Sequence, residues 1–210
     1  MSTRTPAKRP SDAPAEFDAI SSLVAASRLV DDAVAGALFR DDSARPLPGL
    51  PGDPLLDAGS DLVPVVRTRM TDDPLPAAFL WPRASTAGHD YVRVTSIVLA
   101  AAMAPGVRAV VLLSPPGDLR GLTARELEVL GLIVDGCSNI QIARELVITA
   151  RTVATHVEHL LAKLCCATRT HAALRAQREG LYVPPPCTAA ARRRGARHPL
   201  AETSLPEPRP

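Results

Sequence analysis

The chain has 210 residues, enough for one full domain with extensions or for two small ones. Aromatic residues make up 3% of it and all 21 prolines fall outside residues 121–164, so ordered structure is expected to concentrate there. The net charge of +2 is too small to assign a partner by bulk electrostatics. It hides a polarity of 11 basic against 14 acidic residues over 1–119, 8 against 6 over 120–181 and 5 against 2 beyond, which hints at an anionic partner for the C-terminal half.

From the N-terminus, residues 1–16 are polar and Pro-rich and are expected to be disordered. They carry no apolar block of the kind that follows the charges of a secretory signal. The stretch Phe17–Phe39 places Ile20, Leu23, Val24, Val30, Val34 and Leu38 near helical spacing, which predicts one or two helices. Between Arg45 and Pro82 stand Pro46, Pro48, Pro51, Pro54, Pro64, Pro74 and Pro76, a density that predicts no long element. "DYVRVTSIVLAAA" and "VRAVVLLSPP" read as two β-branched strands joined at "MAPG" by a hairpin-type connection. Residues 17–118 are thus expected to form a small or incomplete α/β module, GAF-like or PAS-like in its closing strands. The longest apolar run, Ile97–Pro105, is about half of what a bilayer span needs, so no membrane association and a cytoplasmic location are expected.

After the turn-rich "PPGDLR", four helix starts follow from capping chemistry. Thr123 with Glu126 and Ser138 with Gln141 form two capping boxes, and Thr149 and Thr168 supply two further N-caps. Gly136 and Gly180 stand where helices should stop. Apolar stripes run through Leu127, Leu130 and Val134, then Ile142, Ala143 and Leu146, then Val153, Val157, Leu160, Leu161 and Leu164. Only "VIT" separates the second helix from the third, the length of a helix-turn-helix corner, although a ligand-free four-helix bundle would satisfy the same periodicity. Residues 183–210 are low-complexity, basic and Pro-rich, and are expected to be disordered.

"LTARELEVL", Gly136 before "SNIQIAREL", "RTVATHVEHLLAKL" and "TRTHA" follow one another in an order and spacing that closely resemble the LuxR/GerE-type helix-turn-helix domain, over roughly residues 120–182. The resemblance implies a mainly α chain: a C-terminal four-helix domain at 119–182 that binds double-stranded DNA, acts in bacterial transcription regulation and carries no enzymatic activity or cofactor. A helix of diameter about 10–12 Å fits a major groove of about 12 Å. Entering by its N-terminal turns, the third helix would present Ala150, Arg151, Ala154, Thr155, Glu158 and His159 to bases. The family positions matching Ala154, Thr155 and Glu158 face base edges. A Lys is frequent where Ala154 stands, and Glu158 either accepts from a cytosine amino group or repels phosphate. Phosphate contacts are expected from Thr123, Ser138, Asn139, Thr152, Lys163, Arg169 and Thr170, with Arg151 able to serve there too. The resemblance further implies a homodimer through the last helix, around Ala172, Ala173 and Ala176, on an inverted repeat, with RNA polymerase as a further partner.

The only lysines, Lys8 and Lys163, leave no late-sheet Lys for a phosphorylated receiver and no P-loop. His156, His159, Cys165 and Cys166 would have to leave helical geometry to share a metal, so no metal site is expected, and Cys137, Cys165, Cys166 and Cys187 read as free thiols. One alternative stays open: a helix-turn-helix that has lost strong DNA affinity through Ala154 and Glu158 and acts by pairing with a related regulator.

Overall fold

A computed structural model describes residues 32–40, 43–72, 77–83, 90–99 and 107–185. The segments read as disordered at 1–16 and 186–210, most of the Phe17–Phe39 stretch and the "MAPG" connection lie outside these residues. The N-terminal part is built on strands β1 (Ala35–Phe39), β2 (Ala44–Pro46), β3 (Ala77–Arg83), β4 (Asp90–Val98) and β5 (Ala109–Ser114). All pairings are antiparallel, in the order β2-β1-β5-β4-β3. Helix α1 (Leu62–Asp72) lies against β3 and β4. Its Leu62, Val63, Val65 and Val66 share a core with Phe39, Phe79, Val94, Val111 and Leu113. On the opposite face Leu38, Val110 and Leu112 pack with Leu47 and Val107. The C-terminal part holds α2 (Ala124–Val134), α3 (Asn139–Glu145), α4 (Ala150–Lys163) and α5 (Arg169–Glu179).

Three expectations are corrected. The chain is not mainly α: among the described residues a five-stranded antiparallel sheet stands beside five α-helices. The described end of Phe17–Phe39 is strand β1, not helix, and all five of its residues are buried. A strand covered on both faces shows no polar alternation, so its apolar spacing cannot be told from a helical one. The proline-dense stretch does hold elements. Pro64 is the third residue of α1, within the first turn, where a missing amide costs no hydrogen bond. Pro46 and Pro82 lie in β2 and β3, the two edge strands, where an amide has no ladder partner to lose.

The two strands read at "DYVRVTSIVLAAA" and "VRAVVLLSPP" are β4 and β5, paired from Arg93↔Ser114 to Val98↔Ala109. All four predicted caps form. Glu126 N donates to Thr123 Oγ1 at 3.3 Å and Thr123 N to Glu126 Oε2 at 2.7 Å; Gln141 N donates to Ser138 Oγ at 3.4 Å and Ser138 N to Gln141 Oε1 at 2.7 Å. Thr149 and Thr168 accept from the amides of Thr152 and His171. Gly136 (φ 76°) and Gly180 (φ 61°) close α2 and α5 in the left-handed conformation. The packed chain continues past the expected boundary at Tyr182: Pro184 is buried and Val183 and Pro185 are half-buried.

Candidate nucleic-acid interface

The pair α3–α4 is set by an inner apolar seam. Ile142, Ala143, Val153, Leu160 and Leu164 are buried, and Leu130 and Leu127 of α2 back them. Burying that seam orients the rest of α4 by default. Ala150, Arg151, Thr152, Thr155, Glu158 and His159 are all exposed along its outer side, and Ala154 is half-buried at the margin. The six residues expected near bases therefore share one helix face. Thr155 Oγ1 donates to the Arg151 carbonyl at 3.3 Å, which ties its hydroxyl to the backbone.

The residues expected at phosphates fall into three groups. Ser138, Arg169 and Thr170 border one groove of about 430 Å³ together with Ile133, Gly136 and Ala173. Arg169 donates there to the Cys137 carbonyl at 2.6 Å and to Asn139 Oδ1 at 3.3 Å, so its guanidinium joins the start of α5 to the start of α3. Thr152 lies apart, its hydroxyl 2.9 Å from that of Thr149. Thr123 and Lys163 meet at a third place, the Glu126 carboxylate. Lys163 Nζ is 2.7 Å from Glu126 Oε2, and Thr123 Oγ1 donates to the same oxygen at 3.0 Å. Burial pushes the Glu126 carboxyl up, but the hydrogen bonds from Lys163 and Thr123 outweigh it and hold the group below the usual carboxylate range.

Other arginines of the helical domain are also committed within it. Arg125 donates to the Leu146 carbonyl at the end of α3, and Arg175 to the Leu164 carbonyl at the end of α4. These helix ends, rich in unpaired carbonyls, are where a cation gains most. Arg120 and Arg175 both pair with Glu179 at 2.9 Å. Among the cations left on the outer side, Arg144 and Arg151 are exposed.

Sequence reasoning missed an exposed line on α3 and its following turn. Ile140 (59% exposed), Arg144 and Val147 (89% exposed) are spaced i, i+4, i+7 beside the α4 face. The inward set, buried Ile142 and Ala143 with half-buried Leu146, is the signal, since it leaves these three on the other side. Val147 forms the corner itself at φ 54°, a left-handed conformation that a β-branched residue rarely adopts.

Comparisons with known proteins agree with this geometry over the helical part. The family described as "Bacterial regulatory proteins, luxR family" (GerE) matches residues 120–176. The chain is 50% identical over 60 residues to the transcriptional regulatory protein LiaR of Bacillus subtilis (strain 168), a span of 29% of this chain and 28% of that one. It is 53% identical over 57 residues to the HTH-type transcriptional regulator MalT of Yersinia pestis (strain Pestoides F), or 27% of this chain and 6% of that one. The chain thus matches less than a third of either relative's length. A solved structure of the Vibrio cholerae VqmA dimer aligns over 78% of this chain and 91% of its own at 16% identity and a TM-score of 0.37. Residues 120–176 are a domain of the bacterial luxR regulatory family.

Proposed function

We propose that the chain is a DNA-binding transcriptional regulator that reads duplex DNA with the outer face of α4 and binds an inverted repeat as a homodimer through α5. One observation carries the reading: in a luxR-family domain, Ala150, Arg151, Thr155, Glu158 and His159 stand exposed along one side of α4, opposite the buried Val153 and Leu160. That side has the width and polarity to enter a major groove. Arg151 and Thr152, at the N-terminal turn, are placed for phosphates, together with the exposed Ser138 and Thr170. Asn139, Arg169, Thr123 and Lys163 would reach phosphate only in addition to the bonds they already make. Ala172 and Ala176 are buried within the helical domain, so the close approach expected of them serves its own core; Leu174, 49% exposed on α5 beside Thr170, is the residue that supports a dimer through that helix. Contact with RNA polymerase is part of the same reading, as is a role in the cytoplasm without catalysis. The unit boundaries belong to it too, with 17–118 as a GAF-like or PAS-like module, 119–182 as the reader and 183–210 as a basic tail. The antiparallel order β2-β1-β5-β4-β3 with α1 across one face supports a sensor-type module.

A second reading has its own observation. Lys163 and Arg169 are already bonded to groups of the domain while Glu158 is exposed on the reading face, which favours a module that pairs with a related regulator and binds DNA weakly. Selection of bound fragments from a random duplex pool by the full chain at two salt concentrations separates the two. Enrichment of an inverted repeat, with affinity falling by about 0.9 log per phosphate contact per log of salt, is expected of the regulator. Recovery of no enriched sequence supports the partner module.

A further inference from the structure

The segment that leaves α5 does not run into solvent. Leu181 (1% exposed) and Tyr182 (2%) are buried between the helical domain and the sheet, and the chain bonds to both. Leu80 N of β3 donates to the Tyr182 carbonyl at 2.8 Å, and Val183 N donates to the Leu127 carbonyl of α2 at 3.2 Å. Two glycines make room for it. A Cβ at Gly131, in the middle of α2, would overlap the Val183 carbonyl oxygen, and one at Gly180 would come within 2.8 Å of Ala78 Cβ on β3. Two arginines of the sheet module reach across. Arg93 of β4 donates to the Glu179 carbonyl at the end of α5 (2.5 Å) and to the Pro116 carbonyl of the connecting segment (3.0 Å). Arg69 of α1 donates to Tyr182 Oη at 3.3 Å and pairs with Asp135, the C-cap of α2, at 2.9 Å. Its guanidinium lies over the rings of Phe79 (6.0 Å) and Tyr182 (5.4 Å).

We propose that residues 181–184 are a pin that fixes the luxR-type domain to the β3 edge of the sheet with its α4 face open, so that the N-terminal module orients the reader permanently and does not mask it. The open-face half of this proposal rests on the DNA-binding reading above; the pin does not. Among the described residues, the cross-contacts named above use α2, the end of α5, the pin and Pro116 of the connecting segment, whereas the outer side of α4 is exposed with the sheet in place. A mobile tether would leave the edge amides of β3 to solvent; here Leu80 N has its partner in the pin.

The test uses the full chain. Trp81, the single tryptophan, lies on β3, so its fluorescence follows the sheet, while far-ultraviolet circular dichroism at the helical band follows mainly α2–α5, which hold most of the helical residues described. The pin requires both signals to melt at one temperature in the natural chain and to separate in Gly131→Ala, which improves helix propensity but displaces Val183. Arg93→Gln, which changes no helix residue, gives the same separation in a milder form and carries the test should Gly131→Ala not fold. Separate melting in the natural chain, or coincident melting in both variants, overturns the pin. On a duplex enriched by the natural chain, Gly131→Ala is expected to bind within about twofold. A gain of about tenfold on uncoupling, ordinary for sites coupled through a conformational change, would show a masked reader and overturn the open face. If the natural chain enriches no duplex, the proposed function fails, and melting alone decides the pin.

Discussion

Helices α2 and α4 belong to the same domain and meet solvent very differently. In α2, Leu127, Val129, Leu130, Gly131, Leu132 and Ile133 are all buried, covering most of the helix circumference. In α4, three residues longer, only Val153 and Leu160 are fully buried, in one stripe. The number of apolar faces on a helix reports how many neighbours it has. Helix α2 has its sister helices on one side and the pin with the sheet on the other; α4 has sister helices alone, and its remaining face is polar and open. The same domain thus has one side packed on protein and one that is polar and open.

Five substitutions sharpen or break this contrast. The largest effect is expected from Leu160→Asp, which places an unpaired charge at a fully buried position in the α4 stripe. It should cost roughly 4 kcal/mol or more and abolish the helical melting transition, followed by circular dichroism. Next, Phe79→Ala removes the ring that packs under Arg69 beside Tyr182 and should lower stability by about 3 kcal/mol in denaturant titration. Its effect on DNA affinity should be slight, because it touches the docking side alone.

The third lies between the sides. Glu126, 3% exposed, is held below the usual carboxylate range by Lys163 and Thr123. A carboxyl depressed in the folded state stabilises fully above its unfolded value and loses that contribution as pH falls through its folded value. Stability should therefore be flat from neutral pH to the ordinary carboxylate range and fall below it, as it should for Glu179, which burial raises and Arg175 and Arg120 lower by more. Glu126→Gln should cost about 2 kcal/mol at neutral pH and remove part of the acid-side slope. Lys163→Ala should for the same reason cost stability as well as affinity, which a phosphate contact alone would not.

On the outer side, Thr155→Ala should shift sequence preference by about 1 kcal/mol at one base-pair position and leave the fold unchanged. Equal loss at every duplex would place Thr155 away from the bases.

The helical domain was readable because its signals are local. Thr123–Glu126 and Ser138–Gln141 are three residues apart, and the bonds they make are the ones their spacing dictates. The sheet depended on contacts far apart in sequence. Nothing near Ala35–Phe39 says that Leu113–Ala109 will flank it, and Pro64 and Pro82 argue against elements that their positions permit. Of the site, the outer face of α4 followed from its stripe, but the partners of Lys163 and Arg169 did not, since Glu126 and Cys137 lie more than thirty residues away. Gly131 left one usable trace: a glycine amid strong helix formers usually has a packing reason.

The contrast between the two sides is most directly tested by hydrogen exchange of the full chain with and without an enriched duplex. Added protection should fall within residues 138–170, with 124–134 and 181–185 already slow and unchanged. Protection arising on the α2 and pin side, or nowhere, would contradict a reader held by one side and open on the other.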